Sequence, residues 1–515
     1  MAEYLVDTGA AVGHLTAGLA LETDPETRAR TALTLAAALH ADGQPAEAMQ
    51  VAQDALHHSP DPLSSTHRAL QAMIVETAVA ARRLPYIQPL VRELRDCPPG
   101  STSGDLMVQA TLALHDALRN DRVSALSRAG AVATAADLGR HPFAVAAAAR
   151  AWQVLTMCDA PEALPAIDAF LAHVGTRGSR WGQTLARCHR GAVLLAHGDV
   201  RAAVDELRLS WEQAVRHQLR LGKILAGSHL IIAFLRRGDV EAADAIRSQL
   251  KDGPALDVTN GLRAYAEASL LLAQGRTTLA LARATALRDE CRVSGITNAV
   301  DPDWRTLMIR CLTDLGRVDE ALETAQEFIG SATTWGTARV VGRSLAAMAD
   351  VERGRRSTEL LHEAVKHFEA AEARWELAQT LHRLGESMRQ AGSPTEAREH
   401  LRRAHEIAVA CGADALARDV AGSLRLLRTR VHAEQGGGSD RLTPAEERVV
   451  ELATAGHSNR EIAQRLFIRL KTVETHLTSA YRKLGVSGRG QLSQASHASD
   501  SETPAPAGVD GRRYR

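Results

Sequence analysis

Between about residue 25 and residue 430 the hydrophobic positions fall into helical runs of Ala and Leu. Each run is opened by a small-residue turn: "ADGQPAEAMQVAQDAL", "AHGDVRAAVDEL", "RRGDVEAADAI", "AQGRTTLALARATAL", "DLGRVDEALETAQEF", "ERGRRSTELLHEAV" and "QAGSPTEAREHLRRA". The turn glycines are Gly43, Gly198, Gly238, Gly275, Gly316, Gly354 and Gly392, with degenerate copies at Arg83, Asn120 and Ala160. Registers spaced about 39 residues apart have the period of stacked helix pairs. Gly or Asn at such a turn tolerates the left-handed backbone that ends one helix, and the next helix starts directly after it. A single pair cannot bury its apolar face alone, so neighbouring pairs stack and leave a concave surface.

The texture changes near residue 433, where "AEQGGGSD" is short, polar and rich in glycine. The predicted organisation is a lead-in over 1–24, helical repeats over 25–432, a flexible linker over 433–439, a small helical domain over 440–497 and a disordered polar tail over 498–515. The fold class expected for the whole is all-α. The repeats resemble tetratricopeptide units in an elongated form, a likeness that specifies fold rather than ligand.

Within the small domain, Thr443, Pro444 and Glu446 have the pattern of a helix start, and Val449, Val450, Leu452 and Ala453 give that helix a buried face. Gly456 ends it. Ser458 with Glu461 three residues on forms a capping box for a second short helix, whose Ile462, Ala463 and Leu466 face inward. The turn "FIRL" leads to a third helix. There, at 100° per residue, Val473, Leu477, Ala480, Tyr481 and Leu484 form a core stripe, while Lys471, Glu474, Thr475, Thr478 and Arg482 share the opposite arc. Two helices joined by a tight turn, the second with a polar outer face, is the layout of a helix-turn-helix, whose second helix enters the major groove of DNA.

Composition narrows the field. Hydrophobic residues at 45% permit a well-buried core, and aromatics at only 3% among Ala-rich runs favour close-packed helices over sheets. Lys+Arg and Asp+Glu balance at 61 each, so any electrostatic function is local. It is found at 459–489, where seven basic residues face two acidic ones in an otherwise neutral chain, which points to phosphates. Six cysteines without a CxxC pair argue against a zinc site or a disulfide framework. The N-terminus lacks the pattern of a signal peptide, and no apolar run approaches the ~18 residues that span a bilayer. A cytoplasmic protein without membrane contact is expected.

The stretch "LTPAEERVVELATAGHSNREIAQRLFIRLKTVETHLTSAYRKLGV" resembles the C-terminal DNA-binding domain of LuxR-family regulators, with "LTPAE", "GHSNREIA", "TVETH" and "YRKLGV" in the family's order and spacing. The repeats upstream resemble the corresponding region of the large ATP-binding regulators of that family. The resemblance implies sequence-specific binding of double-stranded promoter DNA as a homodimer, with pairing through the helix that follows "YRKLGV" and begins near Arg489. RNA polymerase is a further partner it admits. Base-reading positions carry over to Glu474, Thr475 and Thr478. Phosphate contacts are expected from Asn459, Arg460, Arg469, Lys471, Thr472, Arg482 and Lys483. The repeats would receive a small-molecule or protein signal.

This sequence departs from that pattern in two places. No GxxxxGK[ST] occurs, so an ATPase domain and a nucleotide cofactor are not implied, and the chain is expected to be a shortened member. Where the family usually has a serine to cap the recognition helix, this chain has Arg469, which cannot accept those hydrogen bonds. Elsewhere the chemistry is plain. His362 and His367 stand at i, i+5 rather than at metal-binding spacing, so no metal is expected, and the six tryptophans are read as packing between helices. No GxSxG elbow or dinucleotide fingerprint is present, so an enzyme is disfavoured. The competing reading is an interaction scaffold whose terminal module does not read DNA.

Overall fold

A computed structural model describes residues 8–492 apart from 60, 81–83, 97–99, 136–143, 176–178, 251–259, 301 and 436–441. The chain divides at Leu424 and Arg425 into two compact units, the division falling inside helix Asp414–Gln435. Most of the linker expected at 433–439, the tail at 498–515 and the degenerate turn at Arg83 lie outside the described residues. Among the described residues all regular structure is helical, and no helix is long and apolar enough to cross a membrane.

The first unit is the repeat array. Consecutive helices pack as pairs, and every second helix also packs on the one two places along. Those helices form an inner row: Pro25–Ala41, Ser65–Ala80, Ser103–Leu118, Ala144–Met157, Arg180–Ala196, Arg220–Arg237, Asn260–Ala273, Trp304–Asp314 and Ala338–Val351. The composition explains the close spacing. A Cβ added at Gly191 would stand 2.5 Å from Leu207, and one at Gly385 would stand 2.6 Å from Leu401, so each glycine admits a leucine of the paired helix against its backbone.

All seven turn glycines named from the sequence have φ between 61° and 90°, and Asn120 shares that conformation at 64°. The degenerate turn expected at Ala160 has its left-handed residue one place earlier, at Asp159 (φ 52°). The outer helices end in left-handed residues too, at Gln218, Gly295, Gly336, Glu372 and Gly412, a second series that the repeat pattern had not singled out.

The inner row curves so tightly that the array meets itself nine helices on. The Asn298 amide donates to the Ala117 carbonyl at 2.7 Å, the Trp335 indole N–H to the Met157 carbonyl at 3.0 Å, and Arg339 Nε to Asp159 Oδ1 at 2.6 Å. The Arg374 backbone N–H reaches the His197 carbonyl at 3.2 Å, and Arg220 reaches Asp42 at 3.3 Å. These partners are 177 to 181 residues apart in sequence, so successive turns of the coil are joined through the turns between helices.

Tryptophans 152, 181, 211, 304 and 335 are buried in packing positions. The five described cysteines are buried, and burial pushes the thiols of Cys158 and Cys188 up to about 12.

Candidate nucleic-acid interface

Among its described residues beyond helix Asp414–Gln435, the second unit contains the α-helices Pro444–Thr454, Asn459–Arg465 and Leu470–Leu484. The expected capping box at Ser458 forms, and the helix start expected at Thr443 is a complete box as well. The Glu446 N–H donates to Thr443 Oγ1 at 3.3 Å while the Thr443 N–H donates to Glu446 Oε2 at 2.8 Å. Ser458 and Glu461 repeat the arrangement at 3.4 and 2.7 Å. Two orphan N–H groups are satisfied at each start, and a carboxylate is set against each positive helix end. Gly456 (φ 89°) and Gly485 (φ 65°) end the first and third helices in left-handed conformation.

Around these ends lies a core of Val449, Val450, Ala453, Ile462, Ala463, Val473, Leu477, Ala480 and Leu492, with Leu452, Leu466, Tyr481 and Leu484 partly buried against it. The stripe along the third helix is the one its periodicity predicts. Leu492, which follows a short 3-10 turn at Arg489–Gln491, was not among the expected core residues. Residues beyond it, where a pairing helix was expected, lie outside the described residues.

The turn before the third helix has an unexpected feature. Phe467 adopts φ 53° and is 95% exposed, although a bulky side chain is costly in that region of backbone. The turn is closed by the Ile468 N–H donating to the Ala463 carbonyl at 3.0 Å. At Arg469, φ is −73° and ψ 147°, the backbone of an N-cap, and its side chain makes no capping bond. The helix therefore starts without the hydroxyl that the family resemblance led one to expect.

On the outer arc Lys471, Glu474, Thr475, Thr478 and Arg482 are all exposed. The two threonines are oriented by their own helix, since Thr475 Oγ1 donates to the Lys471 carbonyl at 2.9 Å and Thr478 Oγ1 to the Glu474 carbonyl at 2.8 Å. Their hydroxyl protons are committed, so what they offer outward is acceptor lone pairs and methyl groups. Arg460 and Arg469 are exposed on the neighbouring elements, while Thr472 is half-buried. Asn459 is half-buried as well, and its Oδ1 accepts from Arg489 Nη1 at 3.1 Å. Arg489 also donates to the carbonyls of Ala453 and His457, and so ties the end of the first helix to the start of the second.

Lys483, expected among the phosphate contacts, is engaged within the module. Its ammonium lies 2.7 Å from Glu446 Oε2, and the two side chains are only 8% and 6% exposed. Burial alone would raise the Glu446 carboxyl, but the hydrogen bond from Lys483 and those within the capping box hold it down at about 2. Glu446 thus completes the start of the first helix and pairs with the end of the third. A positive charge that the sequence assigns to the basic flank is spent inside the module.

The sequence profile of bacterial regulatory proteins of the luxR family matches residues 440–495. Over 50 residues the chain is 48% identical to the spore germination protein GerE of Bacillus subtilis, covering 10% of this chain and 68% of that protein. Over 58 residues it is 53% identical to a Mycobacterium bovis protein named as an HTH-type transcriptional regulator, covering 11% of this chain and 6% of that one. The similarity therefore spans only a small part of the mycobacterial relative's length. The fold is similar to that in a crystal structure of Rap protein complexed with competence and sporulation factor, at 10% identity and a TM-score of 0.43, over 75% of this chain and 99% of that one.

Proposed function

The chain belongs to the luxR family of bacterial regulatory proteins, and from that premise we propose that it binds specific sequences in promoter DNA and regulates transcription there. The observation that carries this reading is the exposed arc of helix Leu470–Leu484. Glu474, Thr475 and Thr478 form its middle and the cations Lys471 and Arg482 flank them, on a helix held rigidly by two capped neighbours. In the major groove, carboxylate and hydroxyl acceptors suit the amino groups of cytosine and adenine, and the threonine methyls suit the thymine methyl. Lys471, Arg482, Arg460 and Arg469 fix register on phosphates and carry no sequence information. The chain pairs on DNA as a homodimer, which requires an inverted repeat with half-sites about one helical turn apart, ~10 bp. The repeat unit receives the signal.

Binding-site selection with the full chain tests the division of labour along the helix. Glu474→Ala is expected to relax preference mainly at one base pair, worth ~1–3 kcal/mol. Arg482→Ala is expected to weaken binding to every sequence alike and to reduce the salt slope by ~1. If Arg482→Ala changes the preferred sequence and Glu474→Ala does not, the assignment of this face is wrong. If the chain selects no sequence at all, the regulator reading falls.

A further inference from the structure

Inside the curve of the inner row, the repeat unit forms a chamber of about 280 Å³. Its walls come from residues between Val79 and Arg343, on the inner helices and the stretch that precedes Trp304. No tryptophan lines it. Aliphatic side chains such as Leu114, Leu221, Leu225, Ile232, Leu262 and Ile296 supply most of the lining, and a small set of polar groups converges among them. A concave, mostly apolar space with a few placed polar groups, just below the usual range of ~300–1,000 Å³, has the form of a site for a small ligand.

The charges in the chamber are already matched. Arg150 Nε donates to Glu76 at 2.6 Å, Arg236 to Glu376 at 3.3 Å and Arg339 to Asp159 at 2.6 Å, while Arg343 pairs with Asp303. Every guanidinium on the wall has a carboxylate, so an ionic guest would have to be desolvated with no counter-charge to receive it.

One polar group on the wall is different. Among the described residues the ring nitrogens of His189 have no hydrogen-bond partner, and the ring packs edge-on to Trp152 with centroids 5.8 Å apart. Burial, with His229 and Arg150 nearby, pushes its pKa down to about 3, so the imidazole is neutral and offers one N–H and one lone pair. His189 is surrounded by protein yet half-buried rather than buried, because the surface it retains faces the chamber.

We infer that the chamber binds an uncharged, amphipathic small molecule: an apolar skeleton that fits among the aliphatic side chains and carries a hydroxyl or carbonyl group for His189. That this molecule is the signal rests on the regulator reading above; that it binds does not.

Equilibrium dialysis of the full chain against three matched probes tests the inference: 2-naphthol, 2-naphthoate and naphthalene. The expected result is saturable binding of one 2-naphthol per chain, with 2-naphthoate at least ~10-fold weaker because its charge finds no partner. Naphthalene should fall between them. Ala192→Phe fills the chamber and should abolish binding of all three, with circular dichroism confirming that the helices persist. His189→Leu keeps the volume and should erase the advantage of 2-naphthol over naphthalene while naphthalene still binds, so the inference stays testable even where Ala192→Phe fails to fold. No saturable binding of any probe overturns the inference. So does 2-naphthoate binding as tightly as 2-naphthol, or unchanged binding by folded Ala192→Phe. Selection of DNA sites by the same preparation separates the two readings: sequence-specific DNA binding without probe binding removes the chamber alone, and probe binding without sequence preference removes the regulator.

Discussion

The two units rely on their helix starts to different degrees. In the second unit, helices Pro444–Thr454 and Asn459–Arg465 each begin with a complete capping box, and nine buried residues form one small core under them. In the repeat array capping is uneven: Thr102 and Asp105 form a complete box and Asp24, Asp121, Ser179, Asp199 and Asp303 each cap a helix, while those opened by Leu219, Arg276, Arg317 and Ala373 begin with no side-chain cap. The array distributes its stability over a long series of neighbour interfaces, so no single end need be strong. A module of about fifty residues has no such reserve, because so small a core rarely supplies more than ~3–5 kcal/mol, and local signals must be well made. Hence the small unit was the easier to read from sequence.

The sharpest way to break the comparison is the same deletion in both places. Leu477→Ala should cost ~2–5 kcal/mol and so unfold most of the small module, whereas Leu401→Ala, equally buried, should cost a similar amount but loosen only its own and adjacent pairs. Hydrogen exchange on the full chain reports both. Uniform loss of protection throughout the array in Leu401→Ala would refute the distributed picture.

Next in size is the buried pair. Lys483→Met leaves the Glu446 carboxylate without its partner and should destabilise the module by about 3 kcal/mol. The pair also sets an acid limit. The Glu446 carboxyl is held at about 2 against an ordinary 4.5, so its contribution is full above pH 4.5 and is lost as pH falls toward 2. Melting curves at pH 6, 4 and 3 should show the module weakening over that window, and Glu446→Gln should flatten the dependence. A Lys483→Met module as stable as the parent, with a lower salt slope on DNA, would return Lys483 to the phosphate contacts.

Smaller effects separate two kinds of turn in the array. Gly198 has φ 77°, and a Cβ there would stand 2.3 Å from the Trp375 backbone nitrogen on the next turn of the coil. Gly275 has φ 74° with open space around it. Gly275→Ala should cost ~1–2 kcal/mol from left-handed strain alone, and Gly198→Ala distinctly more. Equal losses in thermal melts would mean that the inter-turn contact is slack. The smallest change goes the other way. Arg469→Ser adds the missing cap at a position whose backbone suits it, and should stabilise the module by ~1 kcal/mol with a small loss of DNA affinity. No gain in melting temperature would mean that another group already serves that end.

What the sequence revealed follows from the range of each interaction. The Ser458–Glu461 capping box, the helix start at Thr443, the stripe from Val473 to Leu484 and the left-handed glycines are local patterns and can be read directly. The Lys483–Glu446 pair spans 37 residues, and at that range a lysine beside an arginine looks like part of a basic flank. Phe467 shows that left-handed backbone is imposed by a turn even on a residue that disfavours it. The period of the array was legible, but its pitch was not. Pitch depends on the angle between pairs, which is settled by contacts such as Arg339 with Asp159, 180 residues away.

That coil has a consequence for how such a gene can change. In an open array, duplicating or deleting one pair of helices leaves every surviving interface intact, and copy number drifts freely among descendants. Here several turns between helices are matched to partners nine helices on, as Met157 is to Trp335 and His197 to Arg374. Adding one pair within that interval would set each of them two helices out of step and divide the wall of the chamber. The array behaves as a counted object, and its lineage is expected to tolerate substitution far better than unequal crossing-over.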